Sequence, residues 1–266
     1  MKKMVKDMFF NLRMNFGIKI FSFKKSSGYY SQMKSALEGL KKDGYCKLEK
    51  YYTDAEINEI QNECLSILDQ SEEIFLKNKN IKDSLERVSG EIKIKHIHKI
   101  SNKLKVYSNE FFFTLISLFF CGKPRIPTVF FHLIHDGNFI HKSVPGKSEV
   151  RIGGQWHYDS LDHILKCFIL LDDITPETGG ETRIINGSRQ KLKKIKNDEE
   201  KKYGEYATND EVLEKEDRLK QLNILNDKTI KNLYGKKGDV FFIDTSNLHR
   251  GALLKKGIKR CIWLYF

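Results

Sequence analysis

A few side chains in the C-terminal half of the chain have the types and spacing for metal chemistry. In Gly154-Gln155-Trp156-His157-Tyr158-Asp159 the histidine and aspartate stand two apart, so on a β-strand both project to one side and can reach a single ion. A third ligand is expected from His249, which follows the apolar run Val240 to Ile243 within Gly238-Asp239-Val240-Phe241-Phe242-Ile243-Asp244-Thr245-Ser246-Asn247-Leu248-His249. Two imidazoles and one carboxylate on one face of an ion leave three positions open, the arrangement of non-haem Fe(II) enzymes that bind a cosubstrate and O₂ together. An H-x-D triplet is short enough to arise by chance, and its weight comes from Arg260, eleven residues after His249. Arg260 lies in the β-rich run Ile258 to Tyr265, on the side of Ile262 and Leu264 and away from Cys261, Trp263 and Tyr265, so it is expected to point into an apolar interior. A buried guanidinium is costly unless a carboxylate meets it. A diacid chelating the iron would supply one through a bidentate, charge-assisted pair.

Other polar residues carry weaker signals. His96, His98, His132, His135, His141 and His163 are read as structural or surface side chains, and His163 is the closest competitor as a ligand, six residues from His157 but outside its strand context. Asp244, five residues before His249, is read either as orienting a ligand or as exposed to solvent. Arg151, Gln155 and Arg183 flank the expected mouth of the site and suit an anionic or sugar-like substrate. The competing reading is a solvated rim whose charges steer rather than bind.

The elements that must position these residues are short strands. Thr128 to Ile134, Gln155 to Asp159, Leu165 to Leu171, Glu181 to Ile185, Asp239 to Ile243 and Ile258 to Tyr265 are β-rich and separated by turns such as Gly153-Gly154, Thr178-Gly179-Gly180 and Asn186-Gly187. Strands at that spacing predict a sandwich or barrel. Upstream, Thr53-Asp54-Ala55-Glu56 has the form of a capping box, followed by Ile57, Ile60, Cys64 and Ile67 at helical spacing. Ser108 to Phe120 reads as a second buried helix, stopped by Cys121-Gly122-Lys123-Pro124. The expected organisation is a basic amphipathic extension over residues 1–30 and one domain over 31–266. That domain divides into a helical part, 31–125, and a β core, 126–266, carrying a charged, partly helical insertion at 190–235; residues 70–100 are polar and give no clear pattern.

Composition narrows the partners. The net charge of +12 attracts polyanions in general, but lysine is abundant along the whole chain and no basic run alternates with stacking aromatics, so no nucleic-acid partner is expected. Five widely spaced cysteines without a C-x-x-C pair suit reduced, mostly buried thiols in a cytoplasmic protein. The most apolar run, Phe111 to Phe120, is ten residues long, half of the roughly 20 needed to cross a bilayer. Residues 1–30 alternate Lys and Arg with Phe9, Phe10, Leu12, Met14, Phe16, Ile18, Ile20, Phe21 and Phe23. Such a segment suits peripheral contact with the inner face of a membrane, with a disordered or loosely docked tail as the reading slightly ahead of it.

Taken in order, Gln155-Trp156-His157-Tyr158-Asp159, Leu171-Asp172-Asp173-Ile174, Glu177-Thr178-Gly179-Gly180, Asn186-Gly187-Ser188-Arg189, Gly238-Asp239 and His249-Arg250-Gly251 with Arg260 resemble the phytanoyl-CoA dioxygenase family of Fe(II)/2-oxoglutarate oxygenases. The resemblance covers about residues 37–266 and is strongest from 150 onward. It implies a double-stranded β-helix of the jelly-roll, cupin-like kind, mainly β with flanking helices. It implies that His157, Asp159 and His249 bind iron and that Arg260 grips the distal carboxylate of 2-oxoglutarate, with Phe168 and Lys166 on one strand face beside the cosubstrate. It further implies consumption of 2-oxoglutarate and O₂, release of succinate and CO₂, and hydroxylation of an unactivated C–H bond in a small-molecule, lipid-linked or glycan-type substrate. The carboxylate at Asp159 points to hydroxylation rather than halogenation. Arg189 departs from the family, which usually has histidine after its Gly-Ser pair. Two alternatives stand beside this reading: a zinc- or manganese-dependent cupin-like hydrolase or isomerase, and a catalytically silent binding barrel.

Overall fold

The computed structural model describes residues 2–23, 28–70, 85–88, 91–108, 110–135, 154, 156–203, 216–226 and 228–266. The helical part comprises α1 (Lys2–Phe23), α2 (Gly28–Asp43), α3 (Asp54–Asp69), α4 (Asn102–Ser108) and α5 (Phe111–Cys121), interrupted by strands β1 (Tyr45–Leu48), β2 (Leu85–Val88) and β3 (Glu91–Ile94). The β core follows as β4 (Thr128–His135), β5 (Leu165–Leu170), β6 (Thr182–Ile185), α6 (Ser188–Tyr203), α7 (Glu216–Gln221), β7 (Ile230–Leu233), β8 (Val240–Asp244), β9 (His249–Gly251) and β10 (Ile258–Tyr265).

Among the described residues the strands form two antiparallel sheets. The large one runs β1-β8-β5-β10-β4-β3-β2 and the small one β7-β6-β9. Both faces of the large sheet are covered, which is why every residue of Val240-Phe241-Phe242-Ile243-Asp244 is buried. One face packs on the helices: Val129, Phe131, Cys167, Ile169, Val240, Phe242, Ile262 and Leu264 share a cluster with Leu37, Ile57, Phe112, Phe113 and Ile116. The other face looks across a lumen at the small sheet, where Phe168, Leu170, Phe241 and Ile243 meet Ile184 and Leu233. A third cluster, Trp156, Tyr158, Ile185, Leu192, Leu219, Ile224 and Leu248, includes residues of α6 and α7 and backs the small sheet. Two facing antiparallel sheets, open at their edges and braced by helices, are the expected jelly-roll core.

Several local expectations hold. Thr53 caps α3 and Glu56 returns the bond, completing the capping box, and Ile57, Ile60, Cys64 and Ile67 are all buried. The buried helix expected over 108–120 is α5, which begins three residues later at Phe111; it stops at Gly122, whose φ of 81° a side chain would strain. β2 pairs with β3 and β3 with β4, which extends the large sheet. The insertion expected over 190–235 overreaches: Ile230–Leu233 is β7, paired along its length with β6. Only one residue of β7 is buried, so the charged flanking sequence hid it. Residues 2–23 form a continuous helix docked along one side, with Phe10, Met14 and Phe21 buried, which replaces the loosely held tail.

Asp239 locks the turn into β8. Its buried carboxylate accepts from the backbone N–H of Lys50 (2.8 Å) and of Lys236 (2.8 Å) and pairs with Lys47 Nζ (3.0 Å). Removing it strands two amides and leaves the Lys47 ammonium with Glu49 alone (3.2 Å). Asp239→Ala is expected to lower unfolding stability by about 3 kcal/mol, read as an earlier urea midpoint at unchanged slope. A loss below about 1 kcal/mol, the worth of one ordinary hydrogen bond, would contradict that account.

Candidate metal centre

The site is built by the backbone before any side chain acts. His157 and His249 exchange both bonds of an antiparallel bridge, His157 N–H to the His249 carbonyl (3.1 Å) and the reverse (2.9 Å). Directly paired residues project to one side, and the two rings lie 4.3 Å apart, centroid to centroid. The Asp159 N–H then bonds the Thr245 carbonyl (3.0 Å), which fixes the carboxylate two residues beyond His157 and on its side. One donor atom from each of His157, Asp159 and His249 lies within 4.8 Å of the others.

The chemistry of the donors fits a metal. His249 is buried, and its Nδ1 sits 3.0 Å from the Asn247 carbonyl. Nδ1 therefore carries the proton and Nε2 keeps its lone pair. Burial, together with the His157 imidazole beside it, holds His249 well below the ordinary histidine pKa, against the opposing pull of Asp159, so the ring is neutral, the form that can bind a metal. Burial alone would raise the Asp159 carboxyl, but the Lys166 ammonium paired with it holds it below the usual range. A neutral imidazole and an ionised carboxylate are the forms an iron(II) ion requires.

The neighbours of this centre divide by strand face. Lys166 and Phe168 share the lumen face of β5. Lys166 Nζ ion-pairs with Asp159 (2.7 Å) and lies over the Tyr265 ring (4.3 Å), while Phe168 stacks on Phe241 and leans on Trp263, each centroid 4.8 Å away.

Arg260 departs from expectation. It faces the helices with Ile262 and Leu264, and its guanidinium forks onto Asp172 (Nε to Oδ2 2.9 Å, Nη2 to Oδ1 2.5 Å). Asp172 is itself reached by Gln61 of α3. The apolar side that carries Arg260 is an interior, but the one behind the sheet; the lumen side carries Lys259, Cys261, Trp263 and Tyr265. The carboxylate that meets Arg260 belongs to the chain. Lys259, which sequence reasoning passed over, is buried (5 % exposed) and crosses from the large sheet to donate to the Gly180 carbonyl at the head of the small one.

Arg183 also points away from the three converging donors. It pairs across the small sheet with Arg250 rather than with His249, on the face opposite the lumen, and bonds Glu181 through Nε (2.8 Å) and Nη2 (2.7 Å). Arg151 and Gln155 lie outside the described residues. His163 is not among the converging donors; its Nδ1 lies 2.6 Å from Asp244. Asp244 is buried and also accepts from the Ser246 N–H (3.1 Å), so it shapes the turn leading to His249 instead of facing solvent.

A jelly-roll whose mouth holds two histidines and an aspartate defines a non-haem iron oxygenase of the 2-oxoglutarate-dependent class. The Phytanoyl-CoA dioxygenase (PhyH) family model matches residues 40–253, and the chain belongs to that family. Membership places the chain among 2-oxoglutarate-dependent iron enzymes and not among zinc- or manganese-dependent cupin-like hydrolases or isomerases. No curated protein sequence matches the chain. Among solved structures, EctD from S. alaskensis with bound Fe is similar at 18 % identity and TM-score 0.60, over 85 % of this chain and 73 % of that one. The epimerase SnoN in complex with Fe³⁺, alpha ketoglutarate and nogalamycin RO is similar at 11 % identity and TM-score 0.57, over 88 % and 82 %. HygX from Streptomyces hygroscopicus with nickel, 2-oxoglutarate and hygromycin B is similar at 13 % identity and TM-score 0.52, over 86 % and 85 %. These likenesses carry the fold.

Proposed function

We propose that the enzyme hydroxylates an unactivated C–H bond of a small-molecule, lipid-linked or glycan-type substrate, with 2-oxoglutarate consumed and succinate and CO₂ released. The observation that carries this reading is the His157–His249 backbone bridge, which turns two distant imidazoles and Asp159 toward one point. Iron(II) with 2-oxoglutarate and O₂ supplies the oxidising power when bound.

The chain's own residues supply the rest. His157, Asp159 and His249 hold the ion on one face and leave the opposite face for cosubstrate and O₂. Asp159 fills a position that a halide would need, which supports hydroxylation over halogenation. Lys259, in place of Arg260, offers the buried cation for the far carboxylate of the cosubstrate, since its stem lies on the lumen face of β10 and its ammonium points inside. Phe168, Phe241 and Trp263 line the same lumen and exclude water, which strengthens that charge pair. A lipid-linked substrate, with peripheral membrane contact through residues 1–30, draws support from α1, whose outer face is apolar.

The test is succinate release under air. It is expected to require both Fe(II) and 2-oxoglutarate and to continue slowly without any added substrate. Wild-type protein that releases none under those conditions would refute the reading.

A further inference from the structure

α1 is apolar on two faces, and the fold covers only one. Phe10, Met14 and Phe21 are buried against the domain, and Arg13 reaches the C-terminal carbonyls of α5, Phe120 among them (3.2 Å). On the other side Phe9, Leu12, Phe16 and Ile20 recur three or four residues apart and so form a single stripe. Their exposures are 52, 56, 63 and 38 %, and Met8 beside them is 53 % exposed. Contiguous exposed apolar side chains of this kind mark a binding surface.

Charge selects the occupant. Over residues 1–25 there are seven basic residues, Lys2, Lys3, Lys6, Arg13, Lys19, Lys24 and Lys25, against the single acid Asp7. Asp7 is already engaged, by Arg189 Nη2 (2.7 Å) and Lys193 Nζ (3.1 Å). Two copies of such a helix would repel each other, whereas an anionic lipid surface attracts it and takes the rings at the headgroup boundary. Among the described residues no helix is long and apolar enough to cross a membrane.

We infer that the Phe9, Leu12, Phe16 and Ile20 face of α1 docks the enzyme on an anionic lipid bilayer and that α1 braces the loop carrying Asp159 against it. The bracing contacts are specific. Phe10 stacks on His163 (3.6 Å), Lys6 pairs with Asp162 (2.8 Å), and Arg189 Nε bonds the Leu161 carbonyl (2.9 Å) while its Nη2 holds Asp7. Arg189, the position where the family usually has histidine, thus ties the loop after Asp159 to the membrane-facing helix. The inference deepens the membrane part of the proposed function and stands apart from its oxidation chemistry.

Flotation of the full chain with phosphatidylcholine vesicles, with and without phosphatidylglycerol, tests it without any turnover. Wild type is expected to float with the anionic vesicles, to be released by high salt, and to ignore pure phosphatidylcholine. Phe9→Ser/Leu12→Ser/Phe16→Ser should weaken that partitioning at least about a hundredfold, with an unchanged melting temperature because the replaced side chains are exposed. Lys19→Gln, which keeps the stripe, should weaken it about fivefold. Wild type that floats with neither vesicle, or a triple variant that floats as wild type does, would overturn the inference. So would a dimer that the triple variant abolishes while vesicle binding is absent, since that would assign the stripe to self-association. A wild type that floats yet releases no succinate would refute the oxygenase reading and leave this one standing.

Discussion

Asp159→Ala is expected to cut 2-oxoglutarate-dependent succinate release more than about a hundredfold. Loss of a partner that merely orients a ligand costs up to about that factor, and Asp159 is argued to be a ligand itself. The substitution acts twice. It removes the only carboxylate among the converging donors, and it leaves the Lys166 ammonium, now 2.7 Å from that carboxylate, facing two imidazoles without an anion between them. A cation left there repels an incoming ion. Lys166→Met removes the ammonium and keeps the ligand, so its turnover should fall far less, and comparing the two variants separates loss of coordination from loss of charge balance. Undiminished release in Asp159→Ala would remove the carboxylate from the chemistry.

The second large effect distinguishes two adjacent cations. Lys259→Met is expected to raise the dissociation constant for 2-oxoglutarate by about 10- to 150-fold, the equivalent of one charge-assisted hydrogen bond of roughly 1.5–3 kcal/mol. Arg260→Met should leave that constant within about threefold and instead destabilise the fold, because Asp172 loses its bidentate partner beside α3. Calorimetric titration of 2-oxoglutarate into anaerobic, metal-loaded protein reads the first, and a urea melt the second. The reverse pattern would return the anchoring role to Arg260 and require β10 to sit one residue out of its present register, since a one-residue slip exchanges the two faces of a strand.

That pair shows where sequence reading stops. Strand alternation correctly put Arg260 with Ile262 and Leu264, away from Cys261, Trp263 and Tyr265. It could not say which side was the lumen, because a sheet covered on both faces has two interiors. The more aliphatic side turned out to be the one packed on helices, and the side bearing Trp, Tyr and Cys, with polar atoms suited to a site, faces the lumen. Arg183 misled for the same reason. The H-x-D pair was legible from its spacing, although in place of the strand expected there His157 makes a single bridge to His249 and Asp159 follows with one bond to Thr245, and the Thr53 cap was legible because it depends on four consecutive residues. β7 was not legible: Ile-Lys-Asn-Leu is mostly exposed and carries no alternation to read. The roles of Arg189 and Asp7 lay beyond reach altogether, since their contact joins residues 182 apart in sequence.

The central claim is that His157, Asp159 and His249 hold one ion, and equilibrium binding of Fe(II) under argon tests it most directly. Wild type should bind one ion per chain, and His157→Ala, Asp159→Ala and His249→Ala should each weaken binding by at least about a hundredfold, while His163→Ala, which removes the nearest competing imidazole in sequence, should bind as wild type does. Wild-type affinity in any of the first three, or its loss in the fourth, would contradict the account.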